Sequence, residues 1–209
     1  MGTDKTGDTP RLCHGTNDDY NLGWFTAGEW VNYTRQFPAG NYMVYARFSR
    51  GTGTNAAPLL SQVTSGVGTT DQTTAPIGSF SVDSHGWGSY NWIQLKDASG
   101  EPVLLNLDGT AKTFRLTSAG PEANTEANAN FFMLVAVPNA VALLASFSSG
   151  NIVLSFGTQT GFSYQVEYKN NLTDSTWSLL GSAIEGSGAL RSVSDAATGK
   201  QRLYRLHIQ

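Results

Sequence analysis

Apolar and polar residues alternate with a period of two along most of this chain. Tyr42, Val44, Ala46 and Phe48 alternate with Met43, Tyr45 and Arg47, and the pattern returns in Val103/Leu105/Leu107 and in Phe114/Leu116. Such alternation puts one set of side chains on each face of a half-buried strand. No window carries a helical period. Gly, Pro, Asn and Ser punctuate the runs, and the spacing predicts strands near 29–37, 41–50, 58–65, 76–82, 90–96, 103–107, 111–118 and 130–137. Asp97–Gly100 reads as a turn, and Asp108-Gly109 as a hairpin signal. Segments 66–76 and 119–128 read as long polar loops, and residues 1–19 as irregular. Eight short antiparallel strands without helices predict a two-sheet sandwich.

After Val137-Pro138-Asn139 the pattern restarts. LLASFSS, NIVLSFG, FSYQVEYKN, TWSLLGS, ALRSVSD and RLYRLHI are six strand-like runs. Close to seven strands is the signature of a small immunoglobulin-like or fibronectin type III-like sandwich, with Phe156, Tyr164, Trp177 and Leu206 expected in its core. The chain therefore divides into 1–137 and 138–209, joined by a short linker.

Composition narrows the function. Charged residues make up 14% of the chain, aromatics 11%, and the net charge is −3 with no basic run. A nucleic-acid partner requires a cationic footprint that is missing, and no apolar run reaches the length of a membrane-spanning helix. A neutral ligand suits this surface. Cys13 is the lone cysteine, so no intrachain disulfide forms. It reads as an incidental thiol, because no second ligand pair stands near Cys13-His14 at metal-site spacing. Met1 to Asp19 is polar and carries no signal-peptide pattern. The abrupt polar start is expected of a piece of a longer polypeptide.

Catalytic motifs are sparse. His14, His85 and His207 accompany no nucleophile elbow, and there is no phosphate loop or dinucleotide fingerprint. Carboxylates such as Glu29, Asp83, Asp97 and Glu101 show no convergence of the kind glycoside cleavage needs. The aromatics are more informative. Trp24 and Phe25 sit in a loop ahead of the first predicted strand. HGWGSYNW, residues 85–92, is a second cluster that includes Tyr90, with glycines on both sides of Trp87. Glycine neighbours leave a ring bare. Sugars lay their C–H faces on such rings, which supply large contact area at little entropy cost. Asn128 and Asn130, entering the last strand of the first unit, would supply polar partners. Trp30 and Trp92, inside strands, are expected in the core.

These residues carry a resemblance. NLGWFTAGEWVNYTRQFPAGNYMVYARFS resembles the central signature of family 6 carbohydrate-binding modules: an Asn-x-Gly-aromatic loop, Gly-Glu-Trp-x-x-Tyr, and a Pro-x-Gly-x-Tyr turn. Gly86-Trp87 with Tyr90 and Trp92, LDGTAKTFRLT and ANANFFMLVAV follow in family order, so the resemblance spans about 20–137. It implies a β-jelly-roll that binds polysaccharide without catalysis and is carried by a larger secreted bacterial protein beside a catalytic module. By motif position Trp24 matches the first stacking ring, Trp87 the second, and Asn128 the polar anchor. Asn130 falls where Asp is common and reads as structural. The family's opening strand, which contributes an acidic ligand contact and part of a structural calcium site, has no counterpart before Asp19. The calcium expectation is therefore left open, and no other cofactor is implied. The ligand class implied is a β-linked glucan, xylan or galactan. SYQVEYKNNLTDSTWSLL and RLYRL resemble small immunoglobulin-like spacer or anchor modules.

Two other readings stand beside this one. A structural or adhesion fragment would keep the fold and lack a working sugar site. A polysaccharide hydrolase or lyase would need a carboxylate pair.

Overall fold

The structure, a computed structural model, describes residues 2–3, 20–51, 56–118, 127–196 and 201–209. Among these every regular element is a strand. The chain divides into two compact units, Met1–Val137 and Pro138–Gln209.

The first unit holds β1 (Gly2–Thr3), β2 (Tyr20–Phe25), β3 (Trp30–Gln36), β4 (Gly40–Arg50), β5 (Leu59–Ser65), β6 (Thr73–Ser79), β7 (Gly86–Gln94), β8 (Leu104–Leu107), β9 (Ala111–Thr117) and β10 (Ala127–Val137). One sheet runs β1-β2-β10-β4-β7, with β8 also on β4, and the other runs β3-β9-β5-β6. Of the two alternating sets of β4, one is buried: Tyr42, Val44, Ala46 and Phe48 enter the core beside Phe80, Leu95, Phe114 and Leu116. Each such large apolar side chain contributes about 1.5–3 kcal/mol by leaving water.

Four expectations are corrected here. The segment 20–25 is a strand, not a loop, although YNLGWF lacks alternation. Its pairing with β10, Leu22 opposite Ala129 and Phe25 opposite Ala127, supplies the order that local sequence does not. Gly2 and Thr3 are paired to β2 rather than irregular; the rest of 1–19 lies outside the described residues, Cys13 and His14 included, as does 119–126. Asp108-Gly109 does not close a hairpin. It carries the chain from β8 in one sheet to β9 in the other. Asp108 Oδ1 accepts from the Thr110 N–H at 3.0 Å, and Gly109 takes φ 85. The polar loop expected over 66–76 is shorter, since Thr73–Pro76 pair with β5.

The second unit holds β11 (Leu144–Ser148), β12 (Asn151–Gly157), β13 (Ser163–Lys169), β14 (Ser178–Leu179), β15 (Ile184–Glu185), β16 (Leu190–Ala196) and β17 (Leu203–Ile208). One sheet is β11-β12-β16, and the other gathers β14, β15 and β17 around β13. Phe156 and Tyr164 stack in its core and Leu206 packs on it. Trp177 does not. It lies outside the core, flanked by Lys169 Nζ at 4.9 Å and the Arg205 guanidinium at 4.5 Å from its ring.

Candidate functional site

The end of the large sheet is set by a tight turn. Thr26–Glu29 joins β2 to β3: Glu29 N–H donates to Thr26 O at 3.1 Å, and Glu29 Oε2 accepts from Thr26 N–H at 2.8 Å. Ser118 pins this turn, since Ser118 Oγ donates to Phe25 O and Gly28 N–H donates to Ser118 O, both at 2.9 Å. With the turn fixed, Phe25 points into the core and Trp24 points out.

Four neighbouring strands then present one row. Trp24 on β2 donates its backbone N–H to Asn128 Oδ1 on β10 at 3.3 Å. Asn128 stands opposite Ser49 on β4 in the ladder. Ser49 Oγ accepts from the Gly88 N–H on β7 at 3.4 Å, next to Trp87. Trp24 and Trp87 are the two most exposed tryptophans, at 75% and 55%. Three strand spacings, roughly 14 Å, separate the strands that carry them, with Asn128 and Ser49 between.

The backbone at this row is held in uncommon conformations. Trp24 has φ 51, a left-handed geometry that costs a residue with a side chain about 1–2 kcal/mol. Such strain persists only where surroundings enforce it, and it clusters at binding sites. Here the β10 pairing on both sides of Trp24 enforces it. Trp24→Gly should therefore melt at a higher temperature than Trp24→Ala, because glycine accepts this φ freely. A lower melting temperature for the glycine variant would contradict the strain. Gly86 and Gly88 also take positive φ, 99 and 87, and this turns the Trp87 ring outward.

Gly51 backs that ring. A Cβ built on Gly51 would stand 2.1 Å from Trp87 Nε1 and 2.4 Å from its Cε2, so the indole packs directly on the Gly51 backbone. We expect Gly51→Ala to swing the indole aside with little change in melting temperature, because the atoms met belong to an exposed side chain. Tryptophan fluorescence and near-UV circular dichroism should report the displacement. An unchanged spectrum would mean that the ring is not held there.

The other sequence candidates fall elsewhere. Phe25 is 1% exposed and belongs to the core, so it offers no platform. Tyr90 is buried, with the Arg47 guanidinium 5.0 Å from its ring centroid. Asn130 Oδ1 accepts from Arg47 Nη1 at 3.3 Å, which fits the structural role expected of it. Both serve Arg47, an outward-facing but buried cation. Trp92 and Phe131 flank Arg47 in the ladder, and their rings meet edge-on at 5.3 Å.

Two tryptophans expected in the core are corrected. Trp92 lies on the outer face of β7 and is 45% exposed; β7 turns Ile93 inward instead. Trp30 is 37% exposed, with the Arg115 guanidinium 3.9 Å from its ring centroid. Ser49 and Gly51 were missed. The only sequence signal for Ser49 was its place on the outward parity of β4.

Among the carboxylates considered for catalysis, Glu29 closes the Thr26 turn and Asp97 Oδ1 accepts from Ser99 and Glu101 N–H groups. Among the described residues no group of three or more His, Cys, Asp or Glu side chains is gathered as for a metal ion, and no helix is long and apolar enough to cross a membrane. An opening of about 560 Å3 beside β3 and β10 is lined chiefly by Tyr33, Phe37, Phe114 and Phe132. It offers apolar packing rather than hydroxyl recognition. No protein-family model matches the chain, and no curated protein matches it.

Proposed function

We propose that the first unit is a non-catalytic polysaccharide-binding module of jelly-roll type. In this reading Trp24 and Trp87 bracket a sugar and Asn128 anchors it from below. The observation that carries the reading is the row Trp24–Asn128–Ser49–Gly88, which brings two exposed indoles and a carboxamide to one end of one sheet. A neutral pyranose needs these two kinds of contact, flat apolar area for its C–H face and a group that both donates and accepts for its hydroxyls. The Trp24 N–H occupies one lone pair of Asn128 Oδ1 and favours one amide orientation, in which the Nδ2 hydrogens would donate to a ligand hydroxyl.

β-Linked glucans, xylans and galactans are the ligand class, and affinity is modest because a shallow site leaves most of a polymer in water. Retention on a polymer then comes from further modules of a secreted parent protein, one of them catalytic. The second unit serves as a spacer or anchor. Titration of the protein with a panel of soluble polysaccharides of these classes tests the proposal. Binding to at least one of them, weakened by Asn128→Ala, is the expected result. Failure to bind any would leave the structural or adhesion role in its place.

A further inference from the structure

The open side of β7 carries a second cavity, of about 450 Å3, which the row at the sheet end does not include. Asp83, His85, Asn91, Trp92 and Lys96 line it. β7 is the last strand of its sheet path, so among the described residues no strand pairs with its far edge. We infer that this cavity is a second sugar subsite, and that the ligand is an oligosaccharide chain running along the free edge of β7 from Trp87 to Trp92. The inference rests on the polysaccharide-binding reading above.

The chemistry of the lining selects the class of ligand. The lining carries one carboxylate, Asp83, and one ammonium, Lys96, and its remaining polar groups are an imidazole, a hydroxyl and two amides. An anion would meet Asp83 and a cation would meet Lys96. An apolar ligand would strip water from all of them without replacing its hydrogen bonds. A neutral polyol satisfies both signs, since each hydroxyl donates and accepts. Trp92 adds a half-exposed indole for the C–H face of a ring.

The geometry selects the length. His85 lies two residues before Trp87 in the same segment, so the cavity begins beside the first site. Strand pairing sets Trp92 opposite Arg47 and Gly86 opposite Arg50 on β4, so the irregularity in β7 leaves Trp87 and Trp92 about three strand residues apart, roughly 10 Å. A pyranose unit laid on Trp87 does not reach Trp92, while the units that follow it in a chain do. A chain laid there also meets the outward backbone N–H and C=O groups of an edge strand. The earlier site would then bind a single sugar unit, and the cavity would reward longer ligands.

The test is calorimetric titration with xylo- and cello-oligosaccharides from di- to hexasaccharide, on the full chain and on three variants. In the full chain, affinity should rise with length. Asn91→Ala and Trp92→Ala should leave the disaccharide affinity unchanged and lower that of the hexasaccharide about tenfold, which corresponds to about 1.4 kcal/mol. Trp87→Ala should weaken every length. Asn91 is exposed and outside the Arg47 cluster, so it reports on the subsite even if Trp92→Ala disturbs packing; circular dichroism checks the fold of each. Equal loss at all lengths, or no loss at any, in the Asn91 and Trp92 variants overturns the subsite. Unchanged binding in Trp87→Ala overturns the first site instead, and absence of binding to every oligosaccharide overturns both.

Discussion

Replacing Trp87 with alanine should weaken polysaccharide binding by at least tenfold and leave the melting temperature of the first unit nearly unchanged. The two halves of this expectation have different causes. Trp87 is more than half exposed, so its removal uncovers little, and surface substitutions usually move stability by about 0.5 kcal/mol or less. A large aromatic at the centre of a binding site typically accounts for about 2 kcal/mol or more of affinity, which is roughly thirtyfold. Trp87→Phe should recover part of the loss, because a smaller ring still covers a sugar face. Affinity electrophoresis in polysaccharide gels reads the first half, and a thermal melt followed by circular dichroism reads the second. A variant that melts much earlier would mean that the indole is a packing element, as in the structural or adhesion reading.

A second large effect is expected far from this row. Asp195→Ala should destabilise the second unit by about 2–3 kcal/mol, or a fall of roughly 10 °C or more for a unit of this size. Asp195 lies on β16 and accepts a hydrogen bond from Tyr204 Oη on β17 at 2.6 Å. These strands belong to different sheets, so the carboxylate ties the sandwich together. Arg202 Nη1 also pairs with Asp195, and its guanidinium lies 4.2 Å from the Tyr168 ring centroid. Breaking a fully buried pair by removing one partner costs about 3–5 kcal/mol; the effect here falls at or below the low end of that range because water still reaches part of Arg202.

The pH dependence follows from the same cluster. Burial pushes the Asp195 carboxyl up, but the hydrogen bonds from Tyr204 and Arg202 outweigh it and hold the carboxyl below its ordinary value. Its contribution is therefore present above about pH 3.9 and is lost as the pH falls through the depressed value. Burial, and then the bond to Asp195, push Tyr204 up to about 12. That contribution is present below about pH 10 and is lost as the pH rises toward 12. Urea melts of the second unit across this range should show both limbs, and Tyr204→Phe should remove the alkaline one. A flat profile would show that the cluster does not stabilise the fold.

The strands of the first sandwich were legible because alternation is a local signal, and GNYMVYARFSR could face the core in only one register. What failed was information that local sequence does not hold. YNLGWF has no period, and β2 exists because β10 pairs with it. Asp108-Gly109 has the chemistry of a tight turn, yet turn residues do not say whether the next strand pairs with the last or crosses to the other sheet. Trp92 was misplaced for a related reason. Alternation in GSYNWIQL shows that Tyr90 and Trp92 share one face and Ile93 the other, without naming the buried one. Trp24, Trp87 and Asn128 were named from the sequence, and the structure sets them in one row across β2, β10, β4 and β7. Ser49, which lies in that row, and Gly51, which backs the ring, became visible only through strand pairing and the close approach of the Trp87 ring.

The five tryptophans make the central claim directly measurable. Each indole Nε1–H gives a separate proton–nitrogen NMR signal, and substitution assigns them. On titration with a short xylo- or cello-oligosaccharide, the signals of Trp24 and Trp87 should move together, while those of Trp30 and Trp177 stay in place. If Trp24 and Trp87 stay fixed at saturating sugar, or if movement is confined to Trp30 or Trp177, the site is not at this end of the sheet.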